Sequence, residues 1–261
     1  MSYQHPEVTD LVLAAGQGTR MKSDLAKVLH PMLGRPLLEY VLDALTELGV
    51  ARTLVVVGHQ AERVRAAFPN ADAEWVLQAE QRGTGHAVLT AAPALEGFAG
   101  TLLVVCGDTP LLRAATLHEL LEHHRASRAA VTVLSTRVPD ATGYGRIVRQ
   151  GGADGPVAAI VEHRDASPEV RRIDEINSGI FAFHYPALQE LLVHLTAHNA
   201  QGEYYLTDTV KLALERGLKA EAVCAPDYRE LLGINTVEQL AEAERLFRAL
   251  HDAPRRAAGE R

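Results

Sequence analysis

Apolar residues follow two rhythms along this chain. Val8 to Ala14, Thr53 to Gly58, Glu74 to Leu77, Thr101 to Cys106 and Ala130 to Arg137 are short Val- and Leu-rich runs of strand length. Between them apolar residues recur every three or four positions: Leu37, Leu38, Val41, Leu42, Leu45 and Leu48, then Ala61 to Phe68, Ala87 to Leu95 and Leu117 to His124. That spacing lines one face of a helix. The alternation predicts βαβαβαβα through the first half. Parallel neighbours need crossovers of this length, so the pattern implies an α/β fold, an open and mostly parallel mixed sheet in a Rossmann-like three-layer α/β/α core.

After about residue 137 the rhythm changes. Short strands punctuated by glycine are predicted around Arg146 to Arg149, Val157 to Glu162 and Ser178 to His184, which suggests a small β-rich flap laid beside the first layer. Helical spacing returns at Pro186 to Leu195, Tyr205 to Glu215 and Val237 to Leu250. The expectation is a single domain over 1–251. Within it, 1–137 forms a core half, 138–235 a flap half and 237–251 a C-terminal helix, followed by a frayed polar tail at 252–261.

Composition then narrows the function. Twenty-six Lys and Arg against 33 Asp and Glu leave a net charge of −7, so no broad positive field exists for a nucleic-acid backbone. Any bound phosphate must be gripped locally. The chain's two cysteines, Cys106 and Cys224, rule out a disulfide framework, and both end apolar runs as small buried hydrophobes do. No apolar run approaches the roughly 18 residues of a membrane span, and the first residues lack a leader pattern. A cytoplasmic chain with neither nucleic-acid nor membrane partners is expected.

The first strand runs into Leu13-Ala14-Ala15-Gly16-Gln17-Gly18-Thr19-Arg20-Met21, with Lys22 and Lys27 close behind. Small residues let backbone N–H groups approach phosphate oxygens, and the cations add charge at the carboxyl edge of the sheet. The loop lacks the third small residue of a dinucleotide fingerprint and the Gly-Lys-Ser/Thr of a Walker loop. Asp108, directly after the strand ending at Cys106, stands where a Mg²⁺ ligand belongs, although Asp also suits a helix N-cap. Gln78, ahead of Gly83-Thr84-Gly85-His86-Ala87, offers an amide to a nucleobase edge. In the second half, polar residues beside glycines suit a hydroxyl-rich ligand: Gly143 to Arg146, Ile160 to Glu162, Glu175 to Gly179, Gln201 to Asp208 and Gly233 to Asn235. His118, His123 and His124 show no metal-ligand spacing and are expected on a solvated helix face.

Taken in order, Leu13 to Met21 with Lys27, Gln78 to Gln81 with Gly83 to Ala87, Gly107-Asp108, Thr142 to Ile147, Ile160 to His163, Glu175 to Gly179 and Gln201 to Asp208 resemble the UDP-N-acetylglucosamine pyrophosphorylase family. This is the N-acetylglucosamine-1-phosphate uridylyltransferase domain of a bacterial bifunctional enzyme. The resemblance spans about residues 8 to 250. It implies a nucleotidyltransferase fold with a sugar-binding flap, UTP and N-acetylglucosamine 1-phosphate as substrates, and Mg²⁺ as cofactor. By the same resemblance Leu13, Ala14, Ala15 and Gly16 lie along the nucleotide, and Arg20 and Lys27 act on its phosphates as the catalytic pair. Gln78, Gly83 and Thr84 meet the uracil. Asp108 and Asn235 hold the metal. Gly145, Glu162 and Asn177 contact the amino sugar, and Cys106 and Gly107 line the floor.

Two positions depart from the family. Its members often carry an aromatic residue where this chain has Cys106, and Asn235 is followed here by Thr236-Val237. No six-residue repeat of the kind that builds a parallel β-helix occurs, so acetyl transfer is not expected. Competing readings are another sugar-phosphate uridylyl- or thymidylyltransferase, and a catalytically idle nucleotide-binding protein.

Overall fold

The computed structural model describes residues 3–153 and 155–257. Its strands are β1 (His5–Ala14), β2 (Pro31–Met32), β3 (Arg35–Pro36), β4 (Val50–Val57), β5 (Glu74–Leu77), β6 (Thr101–Cys106), β7 (Val131–Arg137), β8 (Arg146–Arg149), β9 (Val157–Val161), β10 (Glu175–His184) and β11 (Ala220–Ala225). Its α-helices are α1 (Leu37–Leu48), α2 (Ala61–Ala67), α3 (Thr84–Ala91), α4 (Ala114–Ser127), α5 (Tyr185–Leu192), α6 (Asp208–Glu215) and α7 (Val237–Ala257).

The described residues build a nine-stranded sheet in the order β11-β7-β10-β6-β1-β4-β5, with β8 and β9 joined to it through β10. β1 runs parallel to β4 and β6, and β4 parallel to β5, as the helical crossovers require. β10 is antiparallel to both β6 and β7, which makes the sheet mixed. Apolar side chains from alternate positions pack on the two faces. Val8 and Val12 sit with Val41, Leu45, Val64, Leu117 and Leu121 under α1, α2 and α4. Leu11 and Leu102 sit with Val88, Leu188, Leu191 and Val210 under α3, α5 and α6. The three-layer α/β/α expectation holds. A further cluster, with Met21, Met32, Leu37, Tyr40, Ile234, Ala243 and Leu246, seats α7 on the loops at the carboxyl edge.

β10 joins the two halves of the molecule. Phe181 to His184 pair with β6, and Ile180 to Phe183 also pair with β7, whereas Glu175 to Asn177 pair with β7 alone of these two and Ile176 meets Arg146 of β8. Between these stretches the register with β7 shifts, and Gly179 adopts φ +82°. This bulge bends the strand away from the central sheet and into the flap. Ser178 closes the kink: its Oγ donates to Leu134 O at 2.6 Å and accepts from Ile180 N at 3.2 Å.

Several sequence expectations are corrected. β11 was not anticipated; it is an edge strand beside β7, and Cys224 on it is exposed because an edge strand with partly solvated faces covers little. His124 is 4% exposed, with its Nδ1 2.8 Å from Thr132 Oγ1, so it belongs to the core and not to a solvated face. His118 is half-buried against Tyr3 and His5, and His123 alone of the three is exposed. α7 runs from Val237 to Ala257, past the predicted helix end at 251, and the rest of the expected tail, residues 258–261, lies outside the described residues. Among the described residues, no helix is long and apolar enough to cross a membrane.

Candidate active site

β1, β4, β5 and β6 end on the same edge of the sheet, and the loops that leave them enclose a cleft of about 370 Å³. Leu13, Ala14, Ala15 and Gly16 from the first loop line it, together with Lys27, Gln78, Gly83, Thr84, Cys106 and Asp108. The carboxyl ends of parallel strands at which helical crossovers begin are where such folds hold ligands. Two other hollows, of about 480 and 550 Å³, lie near the start of β4 around Thr53 and Ala73 and hold none of the expected site residues.

The charged centre of the cleft forms across more than 200 residues of sequence. Lys27 Nζ is ion-paired with Asp108 Oδ2 and donates to Asn235 Oδ1 at 2.6 Å, and Arg20 Nη2 donates to the same amide oxygen at 2.8 Å. Lys27 and Asp108 are each only 15% exposed. Asp108 is fixed from the far end of the chain, since Ile234 N donates to Asp108 O at 2.9 Å. A carboxylate and an amide oxygen therefore converge on one cation, here the Lys27 ammonium. This donor set fits a hard divalent cation, which prefers oxygen ligands and usually takes only one or two from protein.

Local sequence makes this convergence possible. Gly18 sits at φ +68°, and a Cβ there would lie 2.7 Å from Lys27 Cβ. A side chain at position 18 would thus displace the lysine stem. Gly233 is less constrained: a Cβ there would sit in ordinary van der Waals contact, 3.4 Å from Asp108 Oδ2.

Gln78 is 3% exposed and already hydrogen-bonded. Its Nε2 donates to Gly83 O at 3.3 Å and lies 2.9 Å from His86 Nδ1, which must accept because an amide nitrogen only donates. The amide hydrogens are committed, and among the described residues none donates to Oε1. Gly83, at φ +104°, has Tyr204 O 2.7 Å from its would-be Cβ, and Thr84 Oγ1 accepts from Leu206 N at 3.1 Å. The loop before α3 is therefore clamped to residues 204–206.

From this centre a continuous wall leads to the flap. Cys106 Sγ lies 3.6 Å from Gly179 O, and a Cβ on Gly179 would stand 2.8 Å from that sulfur. Asn177 Oδ1 accepts from Gly179 N at 2.9 Å, and Asn177 N donates to Gly145 O at 2.9 Å. A Cβ on Gly145 would meet Glu162 Oε1 at 3.2 Å, and Thr207 Oγ1 donates to that oxygen at 3.2 Å. Gly107, buried between Val28 and Ala14, closes the floor, its N donating to Leu13 O at 3.0 Å.

Burial raises the Glu162 carboxyl above its ordinary range, with Asp208 and Asp165 adding to the shift. Burial also pushes the Cys106 thiol up to about 12, with the Asp108 charge beside it. Cys106 is therefore a neutral wall group and not a nucleophile.

Of the residues selected from the sequence, Leu13, Ala14, Ala15, Gly16, Lys27, Gln78, Gly83, Thr84, Cys106 and Asp108 line the cleft, Arg20 and Asn235 bond at its charged centre, and Gly107, Gly145, Glu162 and Asn177 lie in the chain of contacts beside it. Sequence reasoning did not select Gly18, Gly179, Glu203, Thr207 or Tyr144. Glu203 lines the cleft, and burial with the nearby Asp108 charge raises the Tyr144 phenol. Tyr144, Gly179, Glu203 and Thr207 all fall within segments whose glycine-flanked polar pattern had been noted. Conversely, Glu175 lies in such a segment yet serves the frame, bonded to Arg149 Nε and Nη2 at 2.7 Å and to Ser135 Oγ at 2.6 Å.

A profile of the MobA-like NTP transferase domain matches residues 11–252. Among curated relatives, a bifunctional protein GlmU of Pelobacter propionicus is 50% identical over 242 residues, covering 92% of this chain and 52% of that protein. A bifunctional protein GlmU of Thermobifida fusca is 51% identical over 257 residues, covering 95% of this chain and 52% of the relative. The chain spans about half the length of the curated relatives it matches. A crystal structure of a UDP-glucose pyrophosphorylase complexed with UDP-glucose superposes with a TM-score of 0.72, over 95% of this chain and 98% of that one, at 20% identity. At that identity the likeness is one of fold.

Proposed function

Because the chain belongs to the MobA-like NTP transferase domain family, we propose that it is a nucleotidyltransferase that joins UTP and N-acetylglucosamine 1-phosphate into UDP-N-acetylglucosamine and pyrophosphate. One observation carries the reading: Arg20 and Lys27 meet Asp108 and Asn235 at one end of a cleft whose wall continues to Gly145, Glu162 and Asn177. The substrates and a cytoplasmic location are part of the proposal, as is the division into a nucleotide-binding half at 1–137 and a sugar-binding half at 138–235.

The attacking group is a phosphate oxygen, ionised at neutral pH, so the reaction calls for no general base. Its difficulty is electrostatic, since a sugar phosphate dianion must approach the α-phosphorus of a triphosphate in line with the departing pyrophosphate. Arg20 and Lys27 offset that repulsion from fixed positions with charge already in place. Asp108 and Asn235 would hold Mg²⁺, which when bound neutralises phosphate charge and steadies the leaving group.

Gln78 reads the base through its free oxygen. Uracil presents N3–H as a donor at the position where cytosine presents an acceptor, so an acceptor held rigidly by His86 and Gly83 favours UTP. Leu13 to Gly16 offer small side chains and backbone to the nucleotide, and Thr84 borders the same pocket. On the flap, Thr207 occupies Glu162 Oε1, which leaves Oε2 to accept from a sugar hydroxyl. Asn177 and Gly145 complete that side.

The test is Mg²⁺-dependent pyrophosphate release from UTP and N-acetylglucosamine 1-phosphate, repeated with the galacto epimer and with CTP. Turnover that is fastest for the gluco substrate with UTP is expected. Tight UTP binding without product would favour an idle nucleotide-binding protein, and a preference for another hexose phosphate would overturn the sugar assignment.

A further inference from the structure

At the amino edge of the sheet, about 30 Å of strand away from the cleft, β1 and α4 bring ligand-type side chains together. His5 Nε2 lies 3.0 Å from His118 Nδ1, and one ring nitrogen of each histidine falls with a Glu122 carboxylate oxygen within 4.8 Å of one another. His118 and Glu122 are four residues apart on α4 and so share one face. His5 is 2% exposed, and its backbone N–H is fixed on Gly49 O at 2.8 Å. The Tyr3 ring stacks on His118 with centroids 4.3 Å apart and holds its plane.

We propose that His5, His118 and Glu122 form a binding site for a Zn²⁺-class divalent cation that staples the start of β1 to α4. Two imidazoles and a carboxylate are the donor set such ions take, with a fourth position left to water. Two nitrogens on one tetrahedral ion with bonds of 2.0–2.1 Å stand about 3.3 Å apart, so the rings need little movement. The remaining nitrogen of His5, Nδ1, faces Glu7 Oε1 at 4.0 Å, which is too long for a hydrogen bond. Arg125 bonds Glu7 and Glu122 Oε1 and comes within 3.5 Å of His5 Nδ1. It balances part of the acidic charge while leaving Glu122 Oε2 for the ion.

The experiment titrates the untagged chain with Co²⁺, followed by visible absorption, and with Zn²⁺ by calorimetry, in excess Mg²⁺. One equivalent of Co²⁺ displaceable by Zn²⁺ is expected, with Glu122→Gln and His118→Gln each weakening binding at least about tenfold. Zn²⁺ should also raise the Tm of the unmodified chain and leave that of Glu122→Gln unmoved. Glu122 is exposed, so that variant keeps the result readable even where His118→Gln does not fold. Absence of a stoichiometric site, or binding of equal strength in Glu122→Gln, would overturn the proposal.

Discussion

The two edges of one sheet use titratable side chains in opposite ways. At the carboxyl edge, Lys27, Arg20 and Asp108, together with the Asn235 amide, satisfy one another around an accessible cleft, held apart from the core by loops of small residues. At the amino edge and inside, His124 and Asp10 are buried, and burial drives each toward its neutral form: the Asp10 carboxyl is raised well above its ordinary range, and the His124 imidazole is pushed down to about 4. The difference shows that a perturbed titration alone does not mark the site. What marks it is a set of oppositely charged side chains that pair with each other at an accessible cleft.

This contrast can be broken most forcefully at Asp108. Asp108→Ala should cut turnover about a thousandfold with the fold intact by circular dichroism, in line with the loss of one electrostatic group at a reacting centre. Turnover near normal would remove Asp108 from the site. Lys27→Ala should slow turnover about a hundredfold and raise the UTP requirement, and unchanged steady-state kinetics would place the ammonium outside the reaction.

The buried side of the comparison predicts stability and not rate. His124 in the folded chain titrates near 4, below the roughly 6.5 of an unfolded histidine, so the unfolded state takes the proton first. Stability from this group is intact above that ordinary value and is lost as pH falls toward 4, by about 2 kcal/mol between pH 7 and 5. Urea unfolding at several pH values should show this loss in the unmodified chain and a shallower one in His124→Gln, and parallel pH profiles would count against it. The smallest effect belongs to base choice. Gln78→Ala should reduce the preference for UTP over CTP about tenfold, the worth of one well-held hydrogen bond, measured as a ratio of kcat/KM. An unaltered ratio would move base reading to another group.

Much of this was legible in the residues. Strand and helix periodicity marked the three layers because each element buries one face, and the loop after β1 and Asp108 stood out because they directly follow strands. Edge strand β11 was missed since Ala220–Ala225 carries a weak apolar alternation, which an outer strand tolerates. His118 and His124 were misjudged for a different reason. Spacing along one helix does not reveal that His5 arrives from 113 residues away, or that Thr132 waits 2.8 Å from His124. Gly18 and Gly179 lie in segments whose pattern points to a ligand, but the sequence does not show their particular contribution, the absence of a Cβ beside Lys27 and Cys106.

That last pairing carries a practical message for anyone reshaping the pocket. Residues 106 and 179 sit so near one another that the size of the first sets the permissible size of the second. A bulkier floor at 106, for instance an aromatic ring, must find its volume away from the bent strand, or else the bend itself must relax and carry Asn177 with it. Retuning such a chain for a new sugar is therefore a two-position design problem, in which the side chain at 106 and the bend at 179 are varied together.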